Sequence, residues 1–212
     1  MKFDSRSLLL YAVTDRTWLN GRKLYDDVKE AVLGGATFIQ LREKNLGYEA
    51  FRYQALELKD LCREFNVPFV INDNVMLAKD IDADGVHVGQ EDMKASDVRA
   101  LIGPEKILGV SVRTPEEAVL AESNGADYLG AGAVFHTGSK SDAVDITHSA
   151  LKAICSAVKI PVVAIGGINA GNIHELSGSG IKGVAVISAI FASENIRESA
   201  KHLRELAVKV CA

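Results

Sequence analysis

Two carboxylates stand at the ends of neighbouring apolar runs. Phe69-Val70-Ile71-Asn72-Asp73 closes on Asp73, and Gly85-Val86-His87-Val88-Gly89-Gln90-Glu91-Asp92 closes on Asp92. Each run is short, β-branched and bounded by polar residues, the pattern of a buried strand. In parallel α/β architectures, ligands gather at the C-terminal ends of strands. Two acids there can share one hard cation, because Mg²⁺ takes one or two carboxylates and leaves its other positions to water and phosphate oxygens. The plainer reading makes Asp73 and Asp92 turn or N-cap residues.

Other strand-like runs also end in groups that bind anions. Phe38 to Arg42 is followed by Glu43 and Lys44, and Gln40 lies within it. Arg42 offers a planar fork, and Lys44 and Lys140 offer compact charges. Ser111 lies near the end of another run. Gly166-Gly167 lets the backbone approach a ligand closely and present its N–H groups, and the following run exits through Ile187-Ser188. Thr137-Gly138-Ser139 adds hydroxyl and backbone donors within a long loop from Phe135 to Ser149, a candidate lid. Bare acids would repel a diphosphate by roughly 4 kcal/mol per charge pair at about 4 Å and an effective dielectric near 20. A cation between them inverts that field. The face therefore predicts a metal–diphosphate site on one side and a monophosphate site on the other, which suits group transfer with diphosphate leaving. His87 falls inside a strand run and reads as structural or barrel-lining. His136, in the candidate lid, is placed to touch substrate or move a proton, whereas His148, His174 and His202 read as surface residues.

Those groups need a scaffold that brings strand ends together. About eight apolar runs fit: Leu8 to Thr14, Phe38 to Arg42, Phe69 to Asp73, Gly85 to Val88, Ile107 to Val112, Tyr128 to Val134, Val162 to Ile165 and Val184 to Ser188. Between them lie amphipathic segments with i, i+3, i+4 spacing, clearest over Leu24 to Leu33, Tyr48 to Phe65 and Ile196 to Val210. Ser96 and Thr114 suit N-caps, the second followed by Pro115-Glu116-Glu117. Gly34-Gly35, Gly103-Pro104 and Gly125 mark helix ends. Continuous apolar strands alternating with helices predict a parallel sheet covered on its outside. A closed (β/α)8 TIM barrel over residues 1–212, one α/β domain, fits best, with an open doubly wound sheet as the alternative.

The bulk properties agree. The 212 residues are 48% hydrophobic with a net charge of -4, enough for one core and without the basic footprint of a nucleic-acid binder. No apolar stretch approaches a membrane span, and the first residues lack a secretory pattern, so a cytoplasmic protein is expected. Cys62, Cys155 and Cys211 have neither metal-ligand spacing nor an even count, and read as free thiols.

With these motifs assembled, the chain resembles the thiamine phosphate synthase family along nearly its whole length. The resemblance rests on Leu10-Tyr11-Ala12-Val13-Thr14-Asp15, Gly34 to Lys44, Ile71-Asn72-Asp73, Asp84 to Asp92, Leu108-Gly109-Val110-Ser111 and Ala164-Ile165-Gly166-Gly167-Ile168. Gln-x-Arg-Glu-Lys and His-x-Gly-Gln-Glu-Asp are the specific stretches, while Gly-Gly-Ile is shared by many phosphate-binding barrels. The resemblance implies that Gln40, Leu41, Arg42, Glu43, Lys44, Asn72, Ser111 and Lys140 hold an aminopyrimidine diphosphate. It implies Mg²⁺ on Asp73 and Asp92, and thiazole phosphate on Thr137, Gly138, Ser139, Gly167, Ile187 and Ser188. Lys140, Ser111 and Arg42 would serve catalysis. The implied reaction joins the pyrimidine methylene to the thiazole nitrogen dissociatively, with diphosphate leaving first to give a pyrimidine methyl cation. The partners would be two small phosphorylated substrates, with no nucleic acid or membrane, and a homo-oligomer is compatible.

The strand 6 loop departs from the family pattern. Ala133 replaces a usual Pro and Gly138 a usual side chain, changes expected to loosen the loop. Arg113 stands where His is common. The alternatives are a thiazole tautomerase on the same barrel, a sugar-phosphate isomerase with an acid/base pair, and a non-catalytic barrel that binds thiamine precursors. The tautomerase has no need of the diphosphate-binding set.

Overall fold

The computed structural model describes residues 3–136 and 146–211. Its strands are Leu10–Val13 (β1), Phe38–Leu41 (β2), Phe69–Asn72 (β3), Gly85–Val88 (β4), Ile107–Val112 (β5), Tyr128–Gly132 (β6), Val162–Ile165 (β7) and Gly183–Val186 (β8). Each pairs in parallel with its sequence neighbours, and β8 closes on β1. The closed barrel removes the open-sheet alternative and leaves no strand edge exposed.

The connecting helices are Leu24–Leu33 (α1), Tyr48–Glu64 (α2), Val75–Asp80 (α3), Ala95–Ile102 (α4), Pro115–Ser123 (α5) and His148–Ala157 (α6), with Ser188–Phe191 (α7) and Ile196–Val210 (α8) after β8. Between β7 and β8 runs only a 3-10 turn, Ile173–Leu176. Polar caps start several helices: Thr114 Oγ1 accepts from Glu117 N at 3.2 Å, and Asn74 Oδ1 accepts from Leu77 N at 2.9 Å. The expected Ser96 cap is corrected. Helix α4 begins at Ala95, Lys94 occupies the cap position two residues earlier, and Ser96 Oγ lies 3.4 Å from Asp97 Oδ1. The loop expected to run to Ser149 also ends sooner, because Thr147 caps α6 through a bond from Ala150 N at 3.1 Å.

Alternation along the strands divides the apolar residues into two cores. Leu10, Ala12, Ile39 and Leu41 face outward into a layer shared with the helices. Tyr11, Val13, Phe38, Val70, Ile107, Tyr128, Val163 and Ala185 face inward, joined by Leu8. Three inward rings meet edge to face, with centroids 4.6 Å apart for Tyr11–Phe38, 5.6 Å for Phe38–Tyr128 and 5.9 Å for Tyr11–Tyr128. These rings fill the barrel interior and make a solid floor beneath its C-terminal mouth.

Candidate active site

A cavity of about 610 Å³ opens over the C-terminal strand ends and reaches down to Tyr11 and His87. That size suits small ligands. Of the residues singled out from sequence, Gln40, Arg42, Lys44, Asn72, Asp73, Asp92, Ser111, Gly167, Ile187 and Ser188 all line it.

On the β2–β4 side the charges converge. Lys44 Nζ lies 2.7 Å from Asp73 Oδ2. Arg42 Nη1 lies 3.1 Å from Asp15 Oδ2, while the other Asp15 oxygen accepts from Thr17 N at 2.8 Å. Asp73 follows β3 at φ +60°, with its N–H bonded to His87 O at 2.8 Å. The adjoining Asn74, not Asp73, caps α3. Asp92 Oδ2 accepts from Gly89 N at 2.7 Å, which folds the loop after β4 back over its strand end. Partial burial and the neighbouring Asp73 carboxyl raise the Asp92 carboxyl above the usual Asp range, against the Gly89 bond, which lowers it. The turn-or-cap reading therefore holds for Asp92 in part: it closes a turn with one oxygen and shares a site with Asp73.

This donor set can be judged against a hard cation. Among the described residues no group of three or more His, Cys, Asp or Glu gathers as a metal site. Two carboxylates brought together at a cavity wall, at a cost in mutual repulsion, match what Mg²⁺ asks of a protein when phosphate and water fill its other positions. They do not match a thiolate- or imidazole-rich transition-metal site. The residues fit the ion implied by the sequence.

Two residues expected to hold the diphosphate do not face the cavity. Leu41 is fully buried in the outer core, because alternation along β2 turns Gln40 inward and Leu41 toward the helices. Glu43 turns back to its own loop, accepting from Lys44 N at 2.9 Å and Asn45 N at 3.0 Å and pairing with Arg16. Its service is to shape the loop that presents Lys44.

On the opposite side, Gly166 and Gly167 leave β7 at φ +105° and +64°. A Cβ on Gly167 would lie 2.4 Å from His136 O, so only glycine lets the two loops touch here. Asn172 Nδ2 donates to Gly167 O at 2.9 Å and fixes the turn. Ala133 is buried, its carbonyl accepts from Ile146 N at 2.6 Å, and Val134 N and Phe135 N pair with Ile165 O and Gly166 O at 3.0 and 3.1 Å. These bonds tie the start of the loop to β7, and the loosening expected of the loop bears on residues beyond it that lie outside those described. Thr137, Gly138, Ser139 and Lys140 lie outside the described residues.

Several residues at the site were not singled out. Gln90 Nε2 donates to Ser111 O at 2.7 Å and ties the loop after β4 to β5. Asp15 orients Arg42; it follows directly on the first strand run, and looking one residue past that run's end would have found it. Tyr11 and Tyr128 reach the site only through barrel register, for which the sequence carries no local signal. His87 lines the interior as expected, while His148, His174 and His202 are exposed.

A family model for thiamine monophosphate synthase matches residues 10–190. The chain belongs to that family. A thiamine-phosphate synthase of Clostridium tetani is 47% identical over 194 residues, covering 92% of this chain and 93% of its own length. One of Alkaliphilus oremlandii is 50% identical over 195 residues, with 92% and 93% covered. A solved structure of the thiamine phosphate pyrophosphorylase of Pyrococcus furiosus superposes with a TM-score of 0.90 at 42% identity, covering 98% and 99% of the two chains. Family membership makes this chain a transferase of thiamine biosynthesis, on the barrel that the family's structure shares.

Proposed function

We propose that the cavity condenses an aminopyrimidine methyl diphosphate with a thiazole phosphate, giving thiamine phosphate and diphosphate. The observation that carries this reading is the convergence of Asp73, Asp92, Lys44 and Arg42 on one cavity wall. Lys44 and Arg42 attract the diphosphate and neutralise charge as it leaves. Asp73 and Asp92 would hold Mg²⁺, which supplies Lewis acidity toward the departing oxygens. Gln40, Asn72 and Ser111 orient the pyrimidine, and Lys140 adds a further cation by sequence. Gly167, Ile187 and Ser188, with Thr137, Gly138 and Ser139, receive the thiazole phosphate through backbone donors and hydroxyls. Arg42, Ser111 and Lys140 are the residues we assign to catalysis. A dissociative substitution suits this wall: the protein stabilises a leaving anion and aligns two ligands, and no general base is required. Three free cysteines fit a reducing cytoplasm, and among the described residues no helix is long and apolar enough to cross a membrane.

The test is direct. Incubation with both precursors and Mg²⁺ should yield thiamine phosphate and diphosphate in equal amounts. Thiazole isomerisation without condensation, or binding of either precursor without turnover, would overturn the reading.

A further inference from the structure

A line of hydrogen bonds crosses the barrel interior beneath the cavity. The Gln40 amide nitrogen donates to the Tyr11 hydroxyl. Tyr11 OH lies 2.7 Å from Tyr128 OH, which lies 2.9 Å from His87 Nδ1, and His87 Nε2 lies 2.9 Å from Ser111 Oγ. Gln40 and Ser111 line the cavity at the two ends, Tyr11 and His87 border its floor, and both tyrosines are buried. Burial lifts both phenols above their usual range, so each keeps its one proton. A neutral imidazole likewise carries one N–H and one accepting nitrogen. The barrel makes room for this line: a Cβ on Gly109 would lie 2.2 Å from Tyr128 Cζ and 2.4 Å from His87 Nδ1, and one on Gly130 would lie 3.2 Å from His87 Cε1.

Groups with one proton each impose a direction. When Gln40 donates to Tyr11, Tyr11 donates to Tyr128 and Tyr128 donates to His87 Nδ1. The imidazole proton then sits on Nε2 and is given to Ser111 Oγ, so the Ser111 proton turns to the cavity. Gln40 Oε1 is left as the acceptor at the other end. Reversal of the line reverses both ends. Ser111 therefore donates when Gln40 accepts, and accepts when Gln40 donates.

We infer that Tyr11, Tyr128 and His87 are positioning residues that couple the two ends. Through them the cavity recognises together an acceptor-only group at Ser111 and an N–H donor at Gln40. The ligand's identity rests on the function proposed above. An aminopyrimidine diphosphate supplies both features, in its phosphate or ring-nitrogen acceptors and its exocyclic amine. The deaminated 4-oxo counterpart presents an acceptor where the amine donates, and one end is then left unmatched.

The experiment compares dissociation constants of the 4-amino and 4-oxo pyrimidine diphosphates by calorimetry in the wild type, Tyr128→Phe and Tyr11→Phe. Each variant removes one hydroxyl and keeps the ring. The wild type is expected to favour the amino ligand by about tenfold or more, the scale of one buried group left unpaired. In either variant that preference should fall to within about threefold. Nitrogen-15 NMR of His87 should show the Nε2–H tautomer in the liganded wild type and a mixed population in Tyr128→Phe. A folded variant with unchanged preference and unchanged tautomer overturns the inference. If Tyr128→Phe does not fold, Tyr11→Phe cuts the same line and carries both readouts. A wild type that makes no thiamine phosphate overturns the function instead, while its His87 tautomer still reports on the line.

Discussion

Asp73 illustrates how one residue can serve two demands. Its φ of +60° is a conformation most side chains avoid, though Asp and Asn tolerate it. Mg²⁺ is expected to raise the melting temperature of the wild type, and Asp73→Asn should keep the fold, with circular dichroism unchanged, yet lose most of that rise. For Asp92, burial and the Asp73 carboxyl raise the pKa, so the folded protein holds that proton more tightly than the unfolded chain. In chelator the penalty is complete above the raised pKa and lifts as pH falls through it, so stability gains on acidification. The difference in melting temperature between the wild type and Asp92→Asn, followed from pH 7 downward, should shrink in step. Asp92→Ala should weaken diphosphate binding mainly when Mg²⁺ is present; an equal loss in chelator would count against the metal role. Asp15→Ala should raise the KM for the pyrimidine substrate several-fold by freeing Arg42. It should cost under about 1 kcal/mol in urea unfolding, as expected for a partly exposed ion pair.

At the scale of elements, Thr114→Ala removes a cap far from any reacting group. It should cost about 1 kcal/mol by chemical denaturation and leave kcat/KM unchanged. Helices with strong 3.6-residue periodicity were legible to the residue: α1 and α8 begin and end where their apolar spacing does. Strand positions were legible, and β4, β5 and β7 to the residue, but the other strands run on too far in the sequence. Leu8 belongs to a 3-10 turn, and Ser188 opens α7, because apolar residues continue past the last ladder bond. Short α3 escaped because six residues make too few turns to show a period. At the site, residues that face the cavity from strand ends could be read from polarity alone. Leu41 and Glu43 could not be separated from Gln40 and Arg42, since a sequence motif holds alternate faces together. The Tyr11–Tyr128 contact joins positions 117 residues apart and exists only once the barrel has closed.

Across the whole molecule, interior packing and ligand recognition share residues. Gly109→Ala would drive a methyl into Tyr128 and His87, and should cost about 1–3 kcal/mol in stability while also perturbing pyrimidine binding. The wall around this interior is uneven. Helix α2 covers its strands with five buried side chains, from Phe51 to Cys62, whereas the 3-10 turn between β7 and β8 brings two, Ile173 and Leu176, with Ile168 and Ile181 buried on either side of it. Fewer buried contacts mean a lower free energy of local opening. Backbone amides of β7 and β8 should therefore exchange with deuterium sooner than those of β2 and β3, and a bound thiazole phosphate should slow them most. The thin stretch of the sheath would then behave as a hatch, sealed by the same ligand whose backbone cradle it carries.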